Sequence, residues 1–238
     1  MQLDNAVVLV TGANRGIGAA FVEELKQRGA AKIYAASRRA SYVDLDGVEP
    51  IQLDVTDPAR IQEVAAQASD VQVLINNAGI STGTSLVSGD VAEIRREMDT
   101  NFFGPLLLTR AFAPILKANG GGAIVNIVSA LSWFTAPGAG AYAASKTAAW
   151  SLTDSARLEL ASQGTHVVGV HMGLVDTDMA AAMEAPKISP TALAAAALDA
   201  VESGLDEVLA DDWAKFVKSG LTLGPSERYA QLFSPASS

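Results

Sequence analysis

Short apolar runs alternate with longer amphipathic stretches along the chain of 238 residues. The runs are continuous and rich in Val and Ile, which is the pattern of strands buried on both faces of a parallel sheet. The stretches between them repeat apolar residues at the spacing of a helix that packs on one face. Strands are therefore predicted at residues 6–10, 32–36, 51–55, 71–75, 123–128, 167–172 and 207–210.

The segments between these strands carry helix start signals. Asp57 and Pro58 suit the N-cap and first turn of one helix, and Pro190 opens an Ala-rich one. Residues 178–189 lack a clear period and are predicted to be mobile. The alternation as a whole predicts one α/β domain with helices on both faces of the sheet. Helices are predicted up to Gly29, from residue 58, at 91–117 with a possible break at Gly104 and Pro105, at 141–161 and at 190–203.

Composition and charge limit the kinds of partner that this protein is expected to bind. Hydrophobic residues make up 49% of the chain, and the formal charge is −9. An acidic protein repels nucleic acid and anionic membranes, so neither is expected as a partner. The chain has no cysteine, which excludes disulfides and thiol catalysis, and it shows no secretion signal or membrane-spanning run. We expect a cytoplasmic protein that acts on a small molecule, with a flexible tail at residues 234–238.

A glycine-rich turn follows the first predicted strand and opens the first predicted helix. Glycine permits a tight turn and a close approach of the backbone to phosphate, and the helix N-terminus supplies amide donors. The spacing is Gly-x-x-x-Gly-x-Gly rather than the commoner Gly-x-Gly-x-x-Gly. Its place between a strand and a helix favours a dinucleotide site. The residues assigned to this site are Gly12, Asn14, Arg15, Gly16, Ile17 and Gly18.

The end of the second strand indicates which dinucleotide binds. An NAD-binding protein would carry an acid here for the ribose hydroxyls, whereas this chain has Ser37 and Arg38. A hydroxyl and a guanidinium suit the 2′-phosphate of NADP(H). A solvated basic turn is the alternative interpretation.

Tyr142 and Lys146 are four residues apart, so they would lie on one face of the helix predicted at 141–161. A Lys ammonium beside a Tyr favours the phenolate, and we expect it to lower the pKa of the phenol. Such a Tyr can exchange a proton with an alcohol or a ketone. Ser129, at the end of the fifth strand, is the favoured partner hydroxyl, and Ser132 is the alternative.

Five motifs occur in order: Thr11-Gly12-x-x-x-Gly16-Ile17-Gly18, Asn76-Asn77-Ala78-Gly79, Asn101, Ser129 and Tyr142-x-x-x-Lys146. Over nearly its whole length, the chain resembles the short-chain dehydrogenase/reductase family. The resemblance implies a Rossmann-type, doubly wound α/β fold with a seven-stranded parallel sheet in the order 3-2-1-4-5-6-7. It also implies a homotetramer or a homodimer.

The same resemblance implies roles for four catalytic positions. Tyr142 would be the general acid/base, and Lys146 would lower its pKa and bind the nicotinamide ribose. Ser129 would polarise the substrate carbonyl. Asn101 would hold a water molecule in a proton relay to Lys146.

The resemblance also implies a set of cofactor contacts. Asp54 and Val55 would flank the adenine, and Thr177 would bind the carboxamide and diphosphate region. Arg15 and Arg38 stand where the family carries a basic pair that prefers NADP. The remaining members of the set are Asn77, Ala78 and Gly79 on the adenosine ribose side, with Tyr142, Lys146, Gly173 and Val175.

The predicted function is that of an NADPH-dependent oxidoreductase that interconverts a carbonyl compound and an alcohol. A dinucleotide-sensing or scaffolding protein that has lost the chemistry is the alternative, but none of the catalytic side chains is missing. His166 and His171 are predicted to be structural, and no metal site is expected. The loops near the site offer no obvious cation for a carboxylate and are mostly apolar, with Trp133, Phe134, Leu174, Met179 and Met183.

Overall fold

The computed structural model describes residues 1–39 and 47–233. Its strands are β1 (Val7–Thr11), β2 (Lys32–Ser37), β3 (Glu49–Gln52), β4 (Val73–Asn76), β5 (Ala123–Ile127), β6 (His166–His171), β7 (Leu174–Val175), β8 (Lys187–Ile188) and β9 (Glu207–Leu209). Seven strands form one parallel sheet in the order β3-β2-β1-β4-β5-β6-β9. The predicted Rossmann-type order is confirmed, with β9 as the seventh strand, because β7 and β8 pair with each other outside the sheet.

Helices cover both faces of the sheet. They are α1 (Gly16–Gln27), α2 (Pro58–Gln67), α3 (Val91–Met98), α4 (Gly104–Ala118), α5 (Gly140–Leu160), α6 (Pro190–Ser203), α7 (Asp212–Ser219) and α8 (Pro225–Phe233). Val8 and Val10 of β1 pack in the core beneath α1 and α6, whereas Leu9 packs in the core beneath α2 and α4. Alternate side chains of a strand point to opposite faces, so a strand covered on both faces is apolar throughout.

The third strand begins and ends earlier than the sequence predicted. It spans Glu49–Gln52, so Asp54 and Val55 lie in the loop that follows it. Pro50 is tolerated within β3 because this strand is at the edge of the sheet, where one row of amides needs no strand partner. The crossover before β3 falls largely on residues 40–46, which lie outside the described residues.

The long helical stretch after β4 is interrupted by a π-helical turn. This turn spans Asp99–Phe103 and joins α3 to α4. The break was predicted at Gly104 and Pro105, but these residues open α4 and continue the helix from the π-helical turn. Turns of this kind inside helices are frequent at functional sites, and this one carries Asn101.

Residues 178–189, predicted to be mobile, contain regular elements at both ends. Asp178–Ala180 form a 3-10 turn, and β8 pairs in parallel with β7.

The predicted N-cap of α2 is confirmed, because the Asp57 carboxylate accepts hydrogen bonds from the first-turn amides of that helix. In the part of the chain that the structure describes, no helix is long and apolar enough to cross a membrane.

Candidate active site

The carboxyl ends of β1 and β4 are tied together by the side chain of Thr11. Its hydroxyl accepts hydrogen bonds from the amides of Asn77 and Ala78, at 2.9 and 3.0 Å, and donates to the carbonyl of Ile75. The side-chain amide of Asn77 donates to the carbonyls of Thr11 and Gly12. Thr11 was not among the predicted site residues, although it directly precedes the glycine turn. The predicted contact of Asn77 with a ribose stays a prediction.

The glycine turn brings α1 unusually close to β1. Gly12 and Gly16 have φ values of 65° and 54°, which favour glycine. At Gly18 a Cβ would lie 2.1 Å from the carbonyl oxygen of Gly12. No side chain caps α1, so the amides of its first turn can donate to a phosphate. Asn14 and Ile17 are half-buried in the same turn. These features fit the diphosphate of a dinucleotide.

The loop after β7 approaches the glycine turn. Cγ2 of Thr177 lies 3.1 Å from the position that a Cβ on Gly16 would take. Arg15 forms an ion pair with Asp178, with 2.6 Å between Nη1 and Oδ2, and both side chains are mostly exposed. The predicted contact of Arg15 with a 2′-phosphate therefore requires this exposed pair to open, at small cost.

The loop between β6 and β7 is fixed by the N-cap of α7. The carboxylate of Asp211 accepts hydrogen bonds from the amides of Gly173 and Ala214, each at 2.7 Å. Val175 is buried in β7. The loop therefore gains an anchor from a residue far along the chain.

The predicted adenosine side of the site lies at the ends of β2 and β3. The amide of Ala13 donates to the carbonyl of Ala36 at 3.1 Å, which holds the end of β2 against the glycine turn. Arg38 follows two residues later and is exposed. Ser37 is buried, and its hydroxyl donates to the carbonyl of Arg39 at 2.6 Å.

The loop after β3 has framework contacts of its own. Oδ1 of Asp54 accepts from the amide and the hydroxyl of Thr56, at 3.0 and 2.7 Å. Val55 is buried and lies 3.0 Å from the position that a Cβ on Gly104 would take. The predicted contact of Asp54 and Val55 with an adenine stays a prediction.

Ser129 and Tyr142 meet at the carboxyl end of β5. A hydrogen bond joins the hydroxyl of Ser129 to the phenol of Tyr142. Ser129 is buried, and its Oγ also accepts from the amide of Leu131 at 3.1 Å. Ser132, the alternative, is buried too, but its hydroxyl has no hydrogen-bond partner. The geometry thus favours Ser129 as the partner of Tyr142.

Lys146 lies one helical turn beyond Tyr142 on α5. Its Nζ is 5.6 Å from the centre of the phenol ring and donates to the carbonyl of Ile127 at 2.7 Å. Lys146 is buried, and this burial lowers its pKa to about 8. Burial disfavours the charged form of an amine.

The pKa of Tyr142 is not lowered overall in this structure, contrary to the expectation from the sequence. Burial and, to a smaller extent, the Glu97 carboxylate raise the pKa of Tyr142 to about 12, against the lowering effect of the hydrogen bond with Ser129. Desolvation of a phenolate is costly, so it outweighs the single hydrogen bond. The phenol is consequently protonated at neutral pH, which is the form that can donate a proton.

Asn101 holds the loop after β4 through its side-chain amide. Its Oδ1 accepts from the amide of Ile80, and its Nδ2 donates to the carbonyl of Ile80 and to Oγ of Ser145, each at 2.9 Å. At Gly79 a Cβ would lie 3.2 Å from Oδ1 of Asn101 and 3.7 Å from Nζ of Lys146. Asn101 and Lys146 therefore both border Gly79, and the role of Asn101 in a proton relay stays a prediction.

Glu97 was missed by the sequence reasoning. It lies one turn before Asn101 and is fully buried. Its Oε1 accepts hydrogen bonds from the amide and the hydroxyl of Thr82, whereas its Oε2 has no hydrogen-bond partner. The available signal was the spacing of four residues between Glu97 and Asn101, which places both on one helix face.

The two histidines have structural contacts. Nδ1 of His171 is 3.1 Å from the carbonyl oxygen of Ser129, and its ring stacks on Trp133 with 3.9 Å between centres. Burial lowers the pKa of His171 to about 4, so the imidazole is neutral at pH 7. His166 lies near Asp206. Among residues 1–39 and 47–233, no group of three His, Cys, Asp or Glu side chains is placed to hold a metal ion.

Comparison with known proteins identifies the class. A profile of the short chain dehydrogenase family matches residues 6–187. A 3alpha-hydroxysteroid dehydrogenase of Mediterraneibacter gnavus is 35% identical over 204 residues, which cover 80% of this chain and 82% of that protein. An NADP-dependent 3-hydroxy acid dehydrogenase of Schizosaccharomyces pombe is 30% identical over 74% of each chain.

A solved structure agrees over the whole chain. A short chain dehydrogenase from Burkholderia cenocepacia J2315, in complex with NADP, superimposes with a TM-score of 0.93 at 38% identity. The match covers 99% of this chain and 100% of that one. The chain therefore belongs to the short-chain dehydrogenase/reductase family and is an oxidoreductase of that family.

Proposed function

We propose that the protein is an NADPH-dependent oxidoreductase that interconverts a ketone or aldehyde and the corresponding alcohol. The proposal rests on the phenol of the half-buried Tyr142, which is hydrogen-bonded to Ser129 and one turn from Lys146. A protonated phenol beside a second hydroxyl can bind a carbonyl oxygen and give it a proton as negative charge develops there. In the reverse direction the phenolate accepts the proton of the alcohol.

The cofactor would supply or accept the hydride. The uncapped N-terminus of α1 fits its diphosphate, and Gly12 and Gly16, which carry no side chain, permit a close approach of the backbone to phosphate. Ser37 and Arg38 would bind the 2′-phosphate, and Thr177 would bind the nicotinamide side. The NADP complex of the Burkholderia relative supports this choice of cofactor.

Tyr142→Phe tests the assignment of the proton donor. The variant keeps the ring but has no transferable proton, so turnover is expected to fall by roughly 10²-fold or more. NADPH binding, followed by cofactor fluorescence, is expected to persist. Tyr34→Phe is the matched control, because it removes the hydroxyl of another tyrosine, which is hydrogen-bonded to Lys32 and Asp70 away from the site. Turnover by Tyr142→Phe at the rate of the unmodified protein would refute the assignment.

Arg38→Asp tests the choice of cofactor. Each hydrogen bond between charged groups contributes about 1.5–3 kcal/mol, and exposure reduces this. We therefore expect NADPH to bind at least about tenfold more tightly than NADH. The Asp variant should prefer NADH, because its carboxylate repels the phosphate and accepts from the ribose hydroxyls. Equal affinities in the unmodified protein, measured by titration of both cofactors, would contradict this choice.

A further inference from the structure

A second cleft lies beside the catalytic residues on another face of α5. Its volume is about 410 Å³. Ala143, Thr147 and Trp150 line it from α5 at helical spacing, whereas Tyr142 and Lys146 are not part of its lining. Further walls come from the loop after β5 and from the C-terminal helix α8. The cleft is therefore built by segments that are distant in the sequence.

Three residues that line this cleft each carry a buried polar atom without a hydrogen-bond partner. The atoms are Oγ of Ser132, Nε1 of Trp133 and Nε of Arg228. Ser132 is 2% exposed and Trp133 is 6% exposed. All three atoms can donate a hydrogen bond. Buried donors without partners are few in folded proteins, so their concentration around one cleft indicates an acceptor ligand.

Arg228 gives the cleft a positive charge. In the described part of the chain it forms no ion pair, and its guanidinium lies 5.5 Å from the ring centre of Tyr229. The hydroxyl of Tyr229 accepts from the amide of Thr135 at 3.1 Å, which fixes α8 against the loop after β5. The ammonium of Lys218, which lies over the ring of Trp133, is already paired with Glu207.

The apolar walls complement this charge. The rings of Trp133 and Trp150 meet edge to face with 6.0 Å between their centres, and Phe134 and Leu86 extend the apolar surface. Aromatic walls with a few donors are typical of sites for small amphipathic ligands. A planar carboxylate matches the guanidinium of Arg228 better than any neutral acceptor does.

We propose that this cleft binds a small molecule with an apolar or aromatic body and a carboxylate. The carboxylate pairs with Arg228 and accepts from Ser132 and Trp133, and the body lies against the aromatic rings. Such a molecule has two sources, the distal end of an oxo-acid substrate or a separate acid. Only the first source rests on the proposed function, because a separate acid can bind whether or not the protein turns over a substrate.

Phenylacetate and its neutral amide, phenylacetamide, are the probes. In calorimetric titrations of the full chain without cofactor, phenylacetate is expected to bind at least about tenfold more tightly than phenylacetamide. Arg228→Gln should abolish this difference, and Ser132→Ala should weaken the binding of phenylacetate several-fold. Arg95→Gln removes the same charge from an exposed position on α3 and should change nothing.

Three results would overturn the site. They are equal affinities for acid and amide, no binding of phenylacetate at millimolar concentration, and unchanged binding by both Arg228→Gln and Ser132→Ala. Far-ultraviolet circular dichroism of each variant checks that it is folded. Quenching of tryptophan fluorescence by the acid gives an independent reading, because Trp133 and Trp150 line the cleft.

Turnover distinguishes the two sources. If the cleft holds the substrate, Arg228→Gln raises KM for an aromatic oxo acid but not for its amide, with kcat preserved. If the acid binds separately, phenylacetate binds without competing with the ketone. Tyr142→Phe should bind phenylacetate with unchanged affinity, so a failure of the proposed chemistry is distinguishable from a failure of this site.

Discussion

Glu97 and Asn101 show how single residues link the framework to the chemistry. They are one helical turn apart, and they hold Thr82 and Ile80 in the same loop after β4. Because Glu97 is fully buried and its Oε2 lacks a partner, its charge acts on the site through little intervening solvent. The charged groups that face Tyr142 are this carboxylate from α3 and Lys146 from its own helix.

Glu97→Gln is predicted to move the pH dependence of the reaction. Gln keeps the acceptor for Thr82 but removes the negative charge that helps to raise the pKa of Tyr142 to about 12. That pKa should therefore fall. Reduction needs the protonated phenol, so the fall of the reduction rate at high pH should begin at a lower pH in the variant. Oxidation needs the phenolate, so the rise of the oxidation rate with pH should also begin at a lower pH.

Rate profiles in both directions, with an absorbance titration of tyrosinate, measure this shift. Glu93→Gln is the matched control, because Glu93 is partly exposed one turn earlier and pairs with Arg96 on the surface. Profiles of Glu97→Gln that coincide with those of the unmodified protein would show that the charge does not reach the phenol.

At the scale of elements, the packing of α1 against the end of β1 shapes the cofactor site. The helix approaches the strand so closely that residue 18 has no room for a Cβ. No side chain caps the first turn of α1, so its amides remain available to a phosphate. The position of the phosphate donors therefore depends on one helix–strand distance.

Gly18→Ala is predicted to weaken NADPH binding and stability together. The added Cβ would lie 2.1 Å from the Gly12 carbonyl oxygen, so α1 must move away from β1. Such overpacking costs about 1–3 kcal/mol, and a comparable loss in the bound state lowers affinity by about tenfold or more. Thermal unfolding and NADPH titration measure the two effects. Gly224→Ala, where a Cβ meets nothing within 4 Å, should change neither the thermal stability nor the affinity for NADPH.

At the scale of the whole molecule, α4, the π-helical turn before it and α5 leave an apolar surface uncovered. Phe103 is 44% exposed and Leu158 is 80% exposed. A cavity of about 470 Å³ lies between the two helices, lined by Phe102 and Leu106 among others. Exposed apolar surface of this kind commonly marks an interface, and a two-fold axis would bury it on both subunits.

We predict that the protein is a homodimer or a homotetramer in which this surface is buried. Leu158→Glu should shift the assembly towards smaller species in sedimentation at micromolar concentration, because a carboxylate would be desolvated at the interface. Leu205→Glu changes a comparably exposed leucine after α6 and is the matched control. A monomeric unmodified protein would contradict the prediction. The cytoplasmic location stays a prediction.

The sequence by itself determined the features that depend on local pattern. Continuous apolar runs predicted a parallel sheet covered on both faces, since such strands need apolar side chains in both directions. Glycine spacing predicted a turn that only residues without a Cβ can form. The spacing of Tyr142 and Lys146 placed them on one face of a helix, because helical periodicity requires no knowledge of the rest of the fold.

The tertiary structure decided what depends on contacts between distant segments. The pKa of Tyr142 is raised rather than lowered because burial and Glu97 on α3 act on it, and no local pattern states how α3 packs against α5. Arg228 supplies the cation that the nearby loops lack, because α8 folds back on the loop after β5. Burial and electrostatic fields depend on distance in space, so the sequence order of these residues could not predict them.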